Sequence, residues 1–344
     1  MLWQRTMQLV EAHAEGEIGR VVTGGLPKIP GGSLNEKFRF LLGEKQLRLS
    51  LCLEPRGAAA GSVVLLFPPE EETNHAGIII LQPDQAHAMS GSNAICATTV
   101  LLETGIVPMI DGINTVRLET AAGLVEAIAE CGGGKCQTVT LSMPASFVHE
   151  LDYSFKTADW GTLKADIAFG GVYYAIVDAG QLGLTISPED ASALAQAGMQ
   201  LKAHLNRDVP VTHPENPDIS GIAYVMFRST DEDGTVRTAT TMWPGRLDRS
   251  PCGTGNSANL AVRAARGEVS VGDQYFSRST IGSRFLVEYS SKTSVGDHNA
   301  VLPKITGRAW LYGIHQIGFD PSDPFKDGFA LTDTWGIEAG KIKP

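Results

Sequence analysis

A chain of 344 residues, 43% of them hydrophobic, carries enough apolar material for two packed cores at roughly 150 residues per domain, which excludes disorder as its main theme. A formal charge of -10, with no run of Lys and Arg, excludes a nucleic-acid footprint and points to a small-molecule partner. No apolar run approaches the ~18 residues that span a bilayer, and Met1–Val10 lacks a signal-peptide core, so a cytosolic protein without a membrane partner is expected.

In chain order, Asn35-Glu-Lys-Phe-Arg-Phe40 opens a helix, and the alternating run Leu47-Arg-Leu-Ser-Leu-Cys-Leu53 reads as a strand. Further strands are expected at 61–67, 76–81, 137–143, 173–178 and 221–227, each short, rich in β-branched or aromatic residues, and bounded by Gly, Pro, Asn or Asp. Helices are expected at about 94–103 and 257–265. Another is expected from Ser187-Pro-Glu-Asp-Ala191 to about Asn206, with Ser187 as its cap. Strands outnumber helices without strict βαβ alternation, which favours an α+β chain of mixed or antiparallel sheets around isolated helices.

Five cysteines, an odd number, suit a reducing compartment. Cys52 and Cys96 read as small buried hydrophobes. Cys131-Gly-Gly-Gly-Lys-Cys136 lacks the second ligand pair of a metal site and reads as a glycine turn between strands.

Two stretches resemble each other. Met89-Ser-Gly-Ser-Asn-Ala-Ile-Cys96 and Ser250-Pro-Cys-Gly-Thr-Gly-Asn-Ser257 each follow an extended segment and open a helix, about half the chain apart, which suggests two similar halves with a boundary near residue 155. A helix start offers free N–H groups and the positive end of its dipole, so it holds anions and favours a thiolate. The N–H groups of Gly253 and Thr254 are placed to grip a carboxylate beside the Cys252 sulfur. With Ser90 and Cys252 on opposite sides of one carbon, the pair suits proton transfer at the α position of an amino acid. Ordinary glycine-rich turns around a buried cysteine, and a Cys–His nucleophile with a remote histidine, stay open on pattern alone. A phosphate loop does not, because the Walker spacing and its lysine are missing. Asp248 is placed to meet a substrate ammonium or to pair with Arg246 at the surface, and from the sequence the surface pair is the safer reading.

Asp248-Arg-Ser-Pro-Cys-Gly-Thr-Gly255 resembles the second catalytic segment of the proline racemase family, which includes hydroxyproline epimerases and dehydratases. Further segments resemble the family's in the same order: His13–Arg20 with Gly24-Gly25, Glu54-Pro-Arg-Gly57, Asp166–Tyr173 and Phe319–Phe325. The resemblance implies a diaminopimelate epimerase-like fold of two pseudo-symmetric halves, each a β-barrel-like sheet around a central helix. One half is expected over 1–155 with about 322–344 and carries Ser90; the other, 156–321, carries Cys252. It also implies a site between the halves, no cofactor and no metal, and it leaves a homodimer open.

Carried over by position, Cys252 matches the second catalytic cysteine and Asp248 the partner of the ring nitrogen, while Gly253 and Thr254 match carboxylate ligands. Ser90 stands where epimerases carry their first cysteine and Ser92 where they carry a histidine; Gly91, Ser92 and Asn93 complete the expected substrate-binding set. A racemase wants two acids of comparable strength, and a serine is far weaker than a thiol. The expectation is therefore a dehydratase that takes trans-3-hydroxy-L-proline to pyrroline-2-carboxylate. The alternatives are a 4-hydroxyproline 2-epimerase, with or without the dehydratase activity, and a non-catalytic imino-acid binding protein.

Overall fold

The computed structural model describes residues 5–338, Lys341 and Ile342. The first residues of the opening segment and parts of the C-terminal end assigned to the first half fall outside these. The chain divides into two compact units, Met1–Leu141 with Gly307–Pro344, and Ser142–Thr306.

These limits differ from the expected 155 and 322 because two strands run through those positions or just before them. Ser146–Thr157 is one continuous strand, paired with Gly161–Phe169 and, at Phe147, with Ala300, all inside the second unit. Ala309–Phe319 pairs with Arg5–Ala14 along that strand's whole length, so the return to the first unit comes at Gly307.

In the first unit, Arg5–Ala14 lies antiparallel to Glu17–Gly24, which runs parallel to Gly61–Phe67. The sheet continues through Ala76–Leu81, Gly112–Thr120, Gly123–Gly132 and Lys135–Ser142. The helix Gly91–Glu103 is buried at every residue up to Leu102 and packs against five of the unit's strands, Arg5–Ala14 and Ala309–Phe319 among them. A helix that is apolar all round is stable only inside such a wrapping.

In the second unit the pairings run from Ser146–Thr157 through Gly161–Phe169, Tyr173–Asp178, Ile222–Thr230, Val236–Met242, Gln274–Arg278, Arg284–Val295 and His298–Gly307, and back to Ser146–Thr157. The ring of strands is closed. The helix Gly253–Ala265 packs against four of them. Alternate residues along Tyr173–Asp178 serve two cores: Tyr173, Ala175 and Val177 join the core under the helix Ala191–Asp208, while Tyr174 and Ile176 join Ala258 and Val262 of the Gly253–Ala265 helix. The helix Ala191–Asp208 buries Leu194, Leu201 and Leu205, each side chain contributing about 1.5–3 kcal/mol.

Two local expectations are corrected. Gln46–Cys52 is a helix, not a strand. Every residue from Arg48 to Cys52 is buried, so the alternation carries no exposed face, and the Glu44 carboxylate accepts from the Leu47 N–H at the helix start. The helix expected from Ser187 begins at Ala191, because the Asp190 carboxylate accepts from both the N–H and the hydroxyl of Thr185 and holds 185–190 as a turn. The glycine turn after Cys131 is present, with Gly133 and Gly134 both at positive φ between the two strands.

The Glu54–Gly57 segment ties the returning chain to the first unit. Glu54 accepts from the Trp335 indole N–H at 2.8 Å, and the Arg56 guanidinium donates to the carbonyls of Ser50, Phe325 and Lys326. Arg20 forms a buried pair with Glu11 at 3.0 Å beneath the same segment.

Candidate active site

In the second unit Cys252 is the N-cap of the helix Gly253–Ala265, as the run of small residues required. Its backbone has φ 69° and ψ 111°, a conformation that costs a non-glycine residue about 1–3 kcal/mol. A dense network holds it there. Asn256 Nδ2 donates to the carbonyls of Pro251 at 2.6 Å and Cys252 at 3.0 Å, and the Thr238 hydroxyl also reaches the Pro251 carbonyl, at 2.9 Å. The Cys252 N–H donates to Ser250 Oγ at 3.1 Å; Asp248 Oδ1 accepts from the Ser250 N–H and hydroxyl at 2.8 and 2.9 Å.

Asp248 and Arg246 are each only 6% exposed, so the expected surface pair does not exist at a surface. Leu247 lies between them on the short strand Arg246–Leu247, which pairs with Val236–Met242 and draws both side chains inward. A buried carboxylate four residues before the cysteine is instead part of the turn itself.

The sulfur is nearly enclosed, with Cys252 7% exposed. Burial pushes the thiol up to about 11 and the neighbouring Asp248 charge adds to the rise, while the Tyr174 hydroxyl and the Gly255 N–H pull it down. Tyr174 Oη lies 3.4 Å from Cys252 Sγ and 2.7 Å from Thr254 Oγ1. Nothing in the sequence pattern singled out this tyrosine as part of the site. The only available signal was period-2 alternation in Tyr173–Asp178, which sends one tyrosine of the pair to each face. The preceding Gly170 also has a role: a Cβ there would overlap the Thr254 carbonyl and sit 2.5 Å from the Ala258 N–H nitrogen.

In the first unit Ser90 is the N-cap of the helix Gly91–Glu103, in extended conformation and half-buried. Asn93 Nδ2 donates to Ser90 Oγ at 2.9 Å, and Ser92 Oγ lies 3.4 Å away. Asn93 is 1% exposed, and its other amide atom meets the Ser62 hydroxyl at 2.8 Å. The structure therefore spends Asn93 on positioning Ser90. Gly91 and Ser92 form the first turn, as Gly253 and Thr254 do in the second unit. Each helix start presents backbone N–H groups of the kind that hold a carboxylate. Ser90 and Cys252 thus occupy equivalent N-cap positions in their own units.

The proline racemase family profile matches residues 9–330. The chain belongs to the proline racemase family. It is 58% identical to a 4-hydroxyproline 2-epimerase of Agrobacterium fabrum over 345 aligned positions, covering 99% of this chain and all of that protein. Among solved structures it is similar to a hydroxyproline epimerase from Agrobacterium vitis with bound trans-4-hydroxy-L-proline, at 56% identity and TM-score 0.93, covering 100% of both chains. A Bacillus anthracis protein of the PhzF family, 13% identical with TM-score 0.58, covers 91% of this chain and 99% of its own, and shares the fold.

These similarities overturn the expected dehydratase, since relatives matched from end to end carry the epimerase name. A free thiol is a poor guide to Cys252, because burial raises its thiol to about 11. Among the described residues no helix is long and apolar enough to cross a membrane.

Proposed function

We propose that the chain is a 4-hydroxyproline 2-epimerase in which Ser90 and Cys252 are the proton-transferring pair. The observation that carries the reading is end-to-end identity of 56–58% with relatives so named, in a chain that keeps Asp248 and Cys252 buried in one turn.

The substrate is a hydroxylated imino acid, trans-4-hydroxy-L-proline or its cis-D epimer. Its carboxylate is taken by N–H groups at the helix starts, those of Gly91 and Ser92 and those of Gly253 and Thr254. Asp248 balances the ring ammonium, which raises the acidity of the α-hydrogen. As the α-proton leaves, negative charge spreads onto the held carboxylate, where the N–H groups and the helix dipoles stabilise it. One of Ser90 and Cys252 removes the proton while the other supplies one to the opposite face, and the roles exchange in the reverse direction. The scheme asks for no metal and no other cofactor, and five free thiols suit a reducing, cytosolic setting.

The test is proton NMR in D₂O with trans-4-hydroxy-L-proline. Loss of the α-proton signal with growth of cis-4-hydroxy-D-proline is expected, with no epimer from Ser90→Ala or Cys252→Ala. A folded wild-type protein that leaves the α-proton in place after long incubation would refute the reading.

A further inference from the structure

We propose that Tyr174 is a positioning residue for Cys252, relaying to the sulfur whether Thr254 is engaged by a substrate carboxylate; this rests on reading Cys252 as a proton-transferring group. Three oxygen and sulfur atoms carry the argument. Tyr174 Oη sits 2.7 Å from Thr254 Oγ1 and 3.4 Å from Cys252 Sγ, while Thr254 Oγ1 and the sulfur are 3.9 Å apart. The phenol has no exposed surface, so its single proton has these two neighbours to choose between.

With no carboxylate bound, the Thr254 hydroxyl is able to donate to the Tyr174 oxygen, and Tyr174 donates to the sulfur. That order favours the thiolate. When Thr254 donates to a carboxylate instead, its oxygen becomes an acceptor, the Tyr174 proton turns toward it, and the sulfur keeps the Gly255 N–H but loses its hydroxyl donor. The thiolate is then more basic when the α-proton has to be taken. No covalent bond is made or broken in this relay; only the Thr254 and Tyr174 hydroxyl protons change direction.

The surroundings keep Tyr174 in its neutral, donating form. Burial holds the phenol well above its ordinary range, with the neighbouring Cys252 and Tyr224 adding to the rise. Around the sulfur, the titratable neighbours are Asp248 on its own turn and Tyr174 on the strand Tyr173–Asp178. The corner is closely packed: a Cβ on Gly255 would overlap the Met226 methyl and sit 3.2 Å from both the Tyr174 ring and the sulfur, and one on Gly170 would overlap the Thr254 carbonyl.

Two measurements on Tyr174→Phe test this. The first needs no turnover: iodoacetamide labelling of Cys252 at pH 8, followed by peptide mass spectrometry, reads the thiolate fraction. Loss of the donor is expected to slow labelling about tenfold, one unit in the thiol. The second is the pH dependence of epimerisation. In the direction where Cys252 is the base, the rising limb of kcat in the wild type should lie about a unit higher in pH than that of kcat/KM, because kcat reports the substrate-bound enzyme. In Tyr174→Phe that separation should close. A far-ultraviolet circular dichroism spectrum and a thermal midpoint matching the wild type exclude simple misfolding. Thr254→Val supplies an independent arm, since it should close the separation while keeping Tyr174.

Wild-type labelling and superimposable pH profiles in Tyr174→Phe would overturn the proposal. Slowed labelling in a protein whose wild type never exchanges the α-proton of hydroxyproline would keep the donor role and sink the epimerase reading.

Discussion

Gly170→Ala tests whether the mid-chain glycine segment shapes the Cys252 turn. Gly170 does not have a positive φ, so an alanine there is a question of space alone. The new Cβ would overlap the Thr254 carbonyl oxygen and lie 2.5 Å from the Ala258 nitrogen and 3.1 Å from its Cβ. Carbon contacts settle near 3.5–4.0 Å, so the first turn of the Gly253–Ala265 helix has to retreat by roughly 1 Å. Both contacted groups are backbone in a packed interior and cannot swing aside. A displacement of that size at a reacting group costs about a hundredfold in rate. Overpacking of this kind also costs about 1–3 kcal/mol, or about 2–4 °C in melting midpoint per kcal/mol for a unit of this size. The assay pairs kcat/KM for trans-4-hydroxy-L-proline with differential scanning calorimetry. Wild-type kcat/KM in Gly170→Ala, even with a lowered midpoint, would refute the argument that this glycine sets the position of the turn.

Other consequences are open to direct measurement. With the Cys252 thiol pushed up to about 11, the thiolate fraction falls tenfold for each unit below that value. In the direction where Cys252 is the base, kcat/KM should therefore climb with unit slope from pH 7 to 10, and a plateau beginning below pH 9 would contradict the burial argument. Asp248→Asn removes a negative charge that raises this thiol, so it should speed iodoacetamide labelling of Cys252 at pH 8 while slowing epimerisation at least about tenfold through loss of the ammonium partner. Both rates falling together would deny one of the two roles. Asp166 is buried between Arg228 at 2.8 Å and Arg266 at 2.7 Å, both partly exposed; Asp166→Asn should cost about 1.5–3 kcal/mol in urea unfolding, and a loss below about 0.5 kcal/mol would show that the pairs hold little.

The Cys252 turn was legible because its signal is local: a proline, a cysteine and two glycines in five residues have few uses other than a tight helix start. Strands bounded by Gly, Pro or Asp were legible for the same reason. Gln46–Cys52 misled because alternation identifies a strand only when one face is exposed, and here Arg48–Cys52 are all buried. Asp248 was misplaced at the surface because its burial comes from a strand distant from its immediate neighbours, where the Thr240 carbonyl accepts from the Asp248 N–H. Tyr174 and Thr254 are 80 residues apart and Ser62 and Asn93 are 31 apart, so the contacts that tune the two N-caps depend on folding and leave no local trace. The reaction was misjudged on the same ground, since free serine and free thiol are poor guides to groups whose acidity is set by burial and donors.

The strand Ala309–Phe319 has a consequence for biogenesis. Every pairing of the second unit's closed ring uses residues up to 307, so that unit is complete on a ribosome before the first can be. Until Ala309–Phe319 emerges, Arg5–Ala14 stands as an unprotected sheet edge with a row of open N–H and C=O groups. Chains stalled or clipped just short of Gly307 would carry an intact Cys252 turn together with a sticky, unfinished partner, and would be the species that cellular quality control has to remove.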